Sequence, residues 1–136
     1  MAQLQLDVIT PERNVLSEPV DEVRVPGLNG ELGILPGHTP LISQLQTGVL
    51  TYTQGGSVRR LHVSGGFVEV KDDRVSVLAD MAERPEEIDA ARARAERDQA
   101  EKALSAFNGS EAEFETARDQ LARSTVRLQL TGEGAR

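Results

Sequence analysis

The sequence predicts an N-terminal antiparallel β-sandwich over residues 1–84, followed by an antiparallel two-helix hairpin over residues 85–136. Up to about residue 84, apolar and polar residues alternate with the period of two that is typical of half-buried strands. Turn signals recur there about every 8 to 12 residues, a spacing that favours a sandwich or barrel over alternating strands and helices. Beyond Pro85 the composition shifts to Ala, Glu, Arg and Gln, which all favour helix.

The strand pattern is clearest in LQLDVIT near the start, where every second residue is apolar. Two longer stretches, GVLTYTQGGSVRRLHV and GGFVEVKDDRVSVLAD, are predicted to form hairpins. The first turns at Gly55–Gly56, because glycine supplies the positive φ that a tight turn needs. The second turns at Lys71–Asp73.

The segment GELGILPGHTPLI is apolar, yet glycine and proline interrupt it. Because it also carries Glu31 and His38, it could be a catalytic loop, a strained core segment or a surface for a partner. Its turn residues favour a bent, rigid connection between strands. Its large apolar residues are predicted to enter the core: Leu32, Ile34, Leu35, Leu41 and Ile42.

The C-terminal half is predicted to form two helices. The first spans about residues 88–107 and follows two glutamates, which favour the positive end of a helix dipole. Asn108–Gly109 suits its C-terminus. Ser110 and Glu113 then form the S-x-x-E capping box of the second helix.

Each helix has a candidate packing face. In the second helix it is formed by residues three and four apart: Phe114, Ala117, Leu121, Ser124 and Leu128. In the first helix it is mostly alanine: Ile88, Ala91, Ala95, Ala103, Leu104 and Phe107. Alanine buries little area, so we expect the hairpin to dock weakly and to move between two positions.

Composition limits the possible functions. The chain of 136 residues has a formal net charge of −7 and contains no Cys and no Trp. Disulfides and thiolate metal sites are therefore excluded, and the acidic balance argues against binding of duplex nucleic acid. No apolar run approaches the roughly 18 residues of a membrane helix. Nothing resembles an export signal, so a cytosol-facing location is expected. The common phosphate-loop, zinc-protease and serine-hydrolase signatures do not occur.

Four charged residues form a candidate anion site. Asp89 and Arg92 share one face of the first helix, and Arg123 and Arg127 share one face of the second. In an antiparallel hairpin the start of one helix lies near the end of the other, so the three arginines could converge. Clustered guanidinium groups favour phosphate, although charged helix faces are often only solvated.

The order and spacing of several motifs are those of a known family. The motifs are VITPER, GELGILPGHTPLI, SGGFVEV, VLAD and ERPEEIDAARA. In this combination, along nearly the whole chain, the sequence resembles the epsilon subunit of bacterial and chloroplast F-type ATP synthase.

The resemblance implies a sandwich-plus-hairpin subunit that is not itself an enzyme. Such a subunit would lie in the central stalk of a rotary proton-transporting ATP synthase, bound to the gamma subunit and the c-ring, and would help to transmit rotation. Glu31 and His38 would face the ring and stalk. The protein would then be peripheral to the membrane, on the cytoplasmic face of the bacterial plasma membrane or on the thylakoid membrane.

The resemblance also implies a regulatory hairpin. It would lie folded on the sandwich or extend toward the alpha/beta head, where it would inhibit ATP hydrolysis. Arg118, Arg123 and Arg127 are the residues implied to contact acidic segments of the beta subunit.

A regulatory ATP site is a further implication, because IDAARA matches the I-D-x-x-R-A pattern of family members that bind ATP. The matching positions are Glu83, Ile88, Asp89, Arg92, Ala93, Arg123 and Arg127. No catalytic residue, metal site or other cofactor is implied. Gln99 stands where some ATP-binding members have Arg, and a charge-assisted hydrogen bond to phosphate is worth roughly 1.5–3 kcal/mol.

Two other functions stay open on the residues alone. The chain could be a free-standing nucleotide-sensing module that uses the same hairpin without a rotary partner. It could also be a small enzyme on a β-sandwich, which the absence of an acid/base or nucleophile constellation disfavours.

Overall fold

The computed structural model describes residues 2–106 and 108–132. The chain divides into two compact units between Arg84 and Pro85. The first unit is all strand, and the second is helical.

The described residues of the first unit form ten strands. They are β1 (Leu4–Ile9), β2 (Asn14–Val20), β3 (Glu22–Gly27), β4 (Gly30–Ile34), β5 (Leu41–Gln44), β6 (Gly48–Gln54), β7 (Ser57–Ser64), β8 (Phe67–Lys71), β9 (Arg74–Leu78) and β10 (Met81–Glu83). Sheet I has the order β2-β1-β9-β8-β5, and sheet II has the order β10-β7-β6-β3-β4. The β-sandwich prediction is therefore confirmed.

The core consists of side chains that alternate along the strands. In β1 the fully buried residues are Leu4, Leu6 and Val8, as the period of two predicts. The opposing sheet contributes Leu50 and Leu61 from β6 and β7. Burial of each such side chain contributes about 1.5–3 kcal/mol, so this one cluster holds the sandwich together.

The prediction of an antiparallel sandwich is wrong for one pairing, because β1 pairs with β9 in parallel. The other pairings between named strands in the described part of the chain are antiparallel, including β1 with β2 and β8 with β9. Local hairpins carry a sequence signal for antiparallel pairing. β1 and β9 are instead joined by most of the sandwich, so no turn between them fixes their relative direction.

The segment GELGILPGHTPLI forms β4, a bend and β5. Ile34 is fully buried, and Leu32 and Leu41 pack partly against the core, as predicted. The prediction is wrong for Leu35 and Ile42, which are 57% and 70% exposed. Leu35 lies in the bend, and Ile42 points outward because it follows the inward-facing Leu41 in β5.

The chain crosses from sheet II to sheet I at Gly65–Gly66. Both glycines have positive φ, +67° and +89°. A Cβ atom on Gly66 would overlap the carbonyl oxygen of Leu78 and the backbone of Ala79. This position therefore requires glycine for its backbone conformation and for the close approach of two chain segments.

We expect Gly66→Ala to destabilise the sandwich by about 3 kcal/mol or more, because backbone strain and steric overlap add. Gly55→Ala is the matched control. Its φ of +56° is also positive, but no atom lies within 4 Å of the added Cβ. We expect Gly55→Ala to lower the free energy of unfolding only by the penalty for a left-handed backbone, about 1–2 kcal/mol. Urea unfolding of both variants measures the difference, and equal losses would contradict the steric argument.

The helical unit contains a short 3-10 helix at Pro85–Glu87, then α1 (Ala90–Ser105) and α2 (Glu111–Leu130). Asp89 is the N-cap of α1, so the helix starts two residues after the predicted position. The predicted end at Phe107 lies outside the described residues; the described helix ends with Ala106 as its C-cap. The predicted capping box is confirmed, because Ser110 and Glu113 bond reciprocally at the start of α2.

The packing face of α2 agrees with the prediction. Ala117, Ser124 and Leu128 are buried, and Phe114 and Leu121 are half-buried. Gln120 of this helix donates a hydrogen bond from Nε2 to the carbonyl oxygen of Glu96 in α1, at 3.1 Å.

The predicted face of α1 is wrong in part. Ala91, Ala95 and Ala103 are exposed, whereas Ala93 and Ala100 are buried. Alanines occur at helical spacing on more than one side of α1, so their positions alone do not select the buried side. Leu104 and Ile88, which belong to the predicted set, are half-buried.

Candidate functional site

Glu31 lies in β4, on the outer face of sheet II. Its Oε1 is 3.7 Å from the Nη1 atom of Arg24, and the side chain remains 60% exposed. The Nε atom of Arg24 also lies 3.5 Å from the Oε2 atom of Glu22. Exposed ion pairs of this kind contribute little to stability, so the Glu31 carboxylate can exchange Arg24 for a partner at low cost.

His38 lies in the bend between β4 and β5. Its backbone N–H donates to the carbonyl oxygen of Leu35 at 3.1 Å, and Nδ1 lies 2.6 Å from the carbonyl oxygen of Thr39. The neighbouring Gly37 donates its N–H to the Oδ1 atom of Asp73 at 2.7 Å, which ties the bend to the β8–β9 turn. Hydrogen bonds thus hold His38 in place on the surface.

Glu31 and His38 do not form an acid/base pair. In the part of the chain that the structure describes, the side chain of Glu31 pairs with Arg24, and that of His38 with a backbone carbonyl. Neither pairing prepares a group for proton transfer, because neither links a general acid or base to a second group that titrates near neutral pH.

Sequence reasoning missed an apolar patch on the outer face of sheet I. The register places Ile9, Leu78 and Phe67 side by side across β1, β9 and β8. Ile42 of β5 lies in the adjacent row, opposite Glu69. The four side chains are between 38% and 70% exposed, and we call them the apolar patch. Contiguous exposed apolar side chains are typical of a surface that a partner covers.

Glu83 belongs to the sandwich unit, where β10 pairs with β7. Its Oε1 atom lies 2.8 Å from Nδ1 of His62, and Nε2 of His62 lies 3.1 Å from Oγ of Ser64. Because a carboxylate only accepts, Nδ1 carries the hydrogen. Ser64 Oγ is also 3.0 Å from Oγ1 of Thr47.

The order carboxylate, imidazole, hydroxyl is that of a nucleophilic triad, but its burial is wrong for catalysis. His62 is fully buried and Ser64 is 7% exposed, so a substrate cannot reach the hydroxyl. The network instead satisfies polar groups that the sandwich buries. Glu83 already has His62 as a partner in this arrangement.

The remaining predicted nucleotide residues lie in the helical unit. The Asp89 carboxylate accepts a hydrogen bond from the Arg92 backbone N–H at 3.1 Å, so it serves as the cap of α1. Ile88 is half-buried and Ala93 is buried. Asp89 and Ala93 thus fix the first turn of α1, from which the Arg92 side chain projects.

Glu96 brings Arg92 and Arg127 to one place. Its Oε1 atom lies 3.0 Å from Nε of Arg92, and its Oε2 atom lies 3.6 Å from Nη1 of Arg127. This contact links the second turn of α1 to the end of α2, so the two helices are antiparallel as predicted. Spacing alone predicted that Arg92, Arg123 and Arg127 converge, which is correct for Arg92 and Arg127 only, and it did not identify Glu96 between those two.

Arg118 and Arg123 are placed differently. Arg118 is exposed on α2, and Arg123 is half-buried there. Among the residues that the structure describes, neither side chain makes a hydrogen bond or an ion pair, and Arg123 does not join the contact at Glu96.

Two family profiles together match residues 3–132 of the chain. The profile described as ATP synthase, Delta/Epsilon chain, beta-sandwich domain covers residues 3–85, and that of the long alpha-helix domain covers residues 86–132. Among the curated relatives, ATP synthase epsilon chain 2 of Syntrophotalea carbinolica is 45% identical and covers 100% of this chain and 99% of its own length. The chain belongs to the epsilon-chain family of ATP synthases.

Other relatives agree with this membership. The ATP synthase epsilon chain of Desulforamulus reducens is 47% identical over 95% of this chain and 98% of its own length. A chain in the Euglena gracilis mitochondrial ATP synthase structure (OSCP/F1/c-ring) superposes with a TM-score of 0.80 at 29% identity, over 91% of this chain and 78% of that one. Epsilon-family membership makes this a non-catalytic ATP synthase subunit, as the resemblance implied.

Two further observations concern the described residues. No helix among them is long and apolar enough to cross a membrane. No group of three or more His, Asp or Glu side chains among them could hold a metal ion.

Proposed function

We propose that the chain is a coupling and inhibitory rotor subunit in the central stalk of a proton-transporting F-type ATP synthase. Its sandwich docks on the gamma subunit and on polar loops of the c-ring, and its hairpin inhibits ATP hydrolysis. The observation that carries the docking proposal is the apolar patch of Ile9, Ile42, Phe67 and Leu78, four exposed apolar side chains on one sheet face.

The apolar patch is the gamma-facing surface in this proposal. Burial of a large apolar side chain contributes about 1.5–3 kcal/mol, so covering four half-exposed ones supports a stable interface. Exposed apolar side chains at the centre with charged ones around them are typical of a protein interface. Glu69, Lys71 and Arg74 on the same face supply such charges.

Glu31 and His38 are the polar contacts to the ring and stalk. Both side chains have only weak or backbone partners, and hydrogen bonds fix the bend that carries His38. A preorganised bend loses little conformational entropy when a partner binds.

The hairpin supplies the inhibitory contact. Arg118 is exposed and Arg123 is half-buried without an internal counter-ion among the described residues, so both can pair with acidic segments of the beta subunit. Arg127 already contacts Glu96, so its transfer to the beta subunit requires the hairpin to rearrange. That requirement fits a hairpin that inhibits in one position and not in the other.

ATP is the proposed regulatory ligand of the hairpin. Arg92 and Arg127 converge on one anionic group, and Asp89, Ile88 and Ala93 hold the first turn of α1 beside them. Only the family pattern supports Arg123 and Glu83 as part of this site. The same pattern also identifies Gln99 as a position where some ATP-binding members have arginine. Titration of ATP into the full chain tests this part, and a lack of binding would leave the stalk proposal intact.

The proposed location of the subunit follows from the ATP synthase complex to which it binds. In this proposal it is a peripheral protein on the cytoplasmic face of a bacterial plasma membrane, held there by gamma and the c-ring.

Reconstitution tests the rotor assignment. The full chain is added to a bacterial F-type ATPase depleted of this subunit, and we expect it to co-purify with gamma and to slow ATP hydrolysis severalfold. A chain that neither joins the complex nor alters the hydrolysis rate would overturn the assignment.

A further inference from the structure

We propose that Glu96 is an internal competitor of the nucleotide, because its carboxylate occupies the place where a phosphate group would bridge Arg92 and Arg127. This inference rests on the proposed ATP site and explains how its affinity is set. Glu96 is not among the residues that the family pattern implies for that site.

The geometry of the contact is that of a bound anion. One carboxylate oxygen approaches Arg92 at 3.0 Å, and the other approaches Arg127 at 3.6 Å. The two arginines belong to different helices, so the carboxylate bridges α1 and α2. A phosphate group presents several acceptor oxygens to guanidinium groups in the same way.

Two observations make this more than a solvated surface pair. The side chain of Arg127 is only 15% exposed, so water screens its interaction with Glu96 less than at an open surface. Gln120 of α2 donates to the backbone carbonyl of Glu96 at 3.1 Å, which holds this turn of α1 against α2. The backbone of Glu96 is therefore held at the helix contact, beside the half-buried Arg127.

Helix geometry alone does not explain the arrangement. Arg92 and Glu96 are four residues apart, but with Arg on the N-terminal side, which is the weaker orientation for such a pair. The tertiary contact to Arg127 adds the second half of the bridge. The carboxylate thus places one negative charge between two cations that belong to different helices.

Competition follows from the shared donors. A phosphate that takes the donors on Arg92 and Arg127 must displace the Glu96 carboxylate or lie beside it, and two anions in contact repel. ATP binding must therefore break the ion pairs of Glu96 with Arg92 and Arg127. The affinity for ATP is then lower than it would be if the two arginines had no internal counter-ion. Conversely, the two arginines already share a counter-ion without a ligand, so the packing of α1 on α2 does not depend on ATP.

The test compares Glu96→Gln with Glu101→Gln in the full chain. Glu101 is a matched control, because it lies on the same helix and pairs at 3.7 Å with Arg97 of α1 rather than with α2. Isothermal titration measures the Kd of ATP and of inorganic tripolyphosphate for each variant. We expect E96Q to bind both probes roughly tenfold or more tightly, because the ion pairs of Glu96 with Arg92 and Arg127 no longer have to be broken, and E101Q to match the original chain.

Two further variants make the result specific. In E96Q, a second substitution Arg127→Gln should remove the gain, because the released donor is then missing. Glu96→Asp keeps the charge on a shorter side chain and should give an intermediate Kd. Helical circular dichroism checks that each variant is folded, and E96D carries the comparison if E96Q is not.

The outcomes separate this inference from the nucleotide site itself. Equal Kd values for the original chain and for folded E96Q, or for E96D in its place, would reject the competitor and keep the site. A gain of the same size in E101Q would also reject it, because the effect would then be one of net charge. If neither the original chain nor any Glu96 variant binds ATP, both the site and its competitor are rejected.

Discussion

Replacing Phe67 and Leu78 by glutamate is expected to abolish binding of the sandwich to the stalk without unfolding it. The two side chains face each other across β8 and β9 at the centre of the apolar patch and are about half exposed, 50% and 51%. The folded monomer therefore tolerates polar replacements. In the complex, the change removes two apolar anchors and buries two charges, so affinity should fall about a thousandfold or more.

Co-purification with a gamma-containing stalk measures this loss. Val58→Glu is the matched control, since Val58 is also about half exposed, at 53%, but lies on β7 of sheet II. The control should bind like the original chain. Stalk binding by the double variant at its original affinity would show that the apolar patch is not the docking surface.

Truncation after Glu87 is expected to leave a folded sandwich that joins the stalk but no longer inhibits hydrolysis. The hydrophobic core lies entirely between Leu4 and Ala82, so removal of both long helices leaves that cluster intact. The last strand stays anchored, because Arg13 donates to the carbonyl oxygen of Ala82 at 3.3 Å and Arg84 to that of Val15 at 2.8 Å.

The measurement is the ATP hydrolysis rate of a depleted complex after addition of the full or the truncated chain. We expect the rate with the truncated chain to stay severalfold above that with the full chain, while both co-purify with gamma. An identical degree of inhibition by the two chains would place the inhibitory element in the sandwich and contradict the hairpin proposal.

Local sequence signals predicted the elements that depend on local chemistry. The capping box at Ser110 and Glu113, the turn at Gly55–Gly56 and the inward face of β1 follow directly from residue type and spacing. β2 is harder to predict because Pro19 interrupts it. The structure accommodates Pro19 because β2 is an edge strand, where a missing N–H can face outward.

The site was predictable only where spacing determines proximity. The convergence of Arg92 and Arg127 follows from an antiparallel hairpin, and Glu96 could have been found as the residue one turn beyond Arg92.

The apolar patch also has a signal in the sequence. In β8, Phe67 alternates in phase with Glu69 and Lys71 and out of phase with the buried valines, so it must point outward. The packing face of α1 lacks such a signal, since its alanines do not distinguish one side from another.

The parallel pairing of β1 with β9 has a consequence for biosynthesis. β1 is an interior strand of sheet I and is translated before the other strands described, yet its neighbour β9 is made only when most of the sandwich has been translated. β1 and β2 can form a hairpin early, but an isolated two-stranded hairpin is at best marginally stable in water. The nascent chain therefore exposes its apolar N-terminal strand until β9 emerges, and the long-range closure should make the sandwich fold slowly for its size.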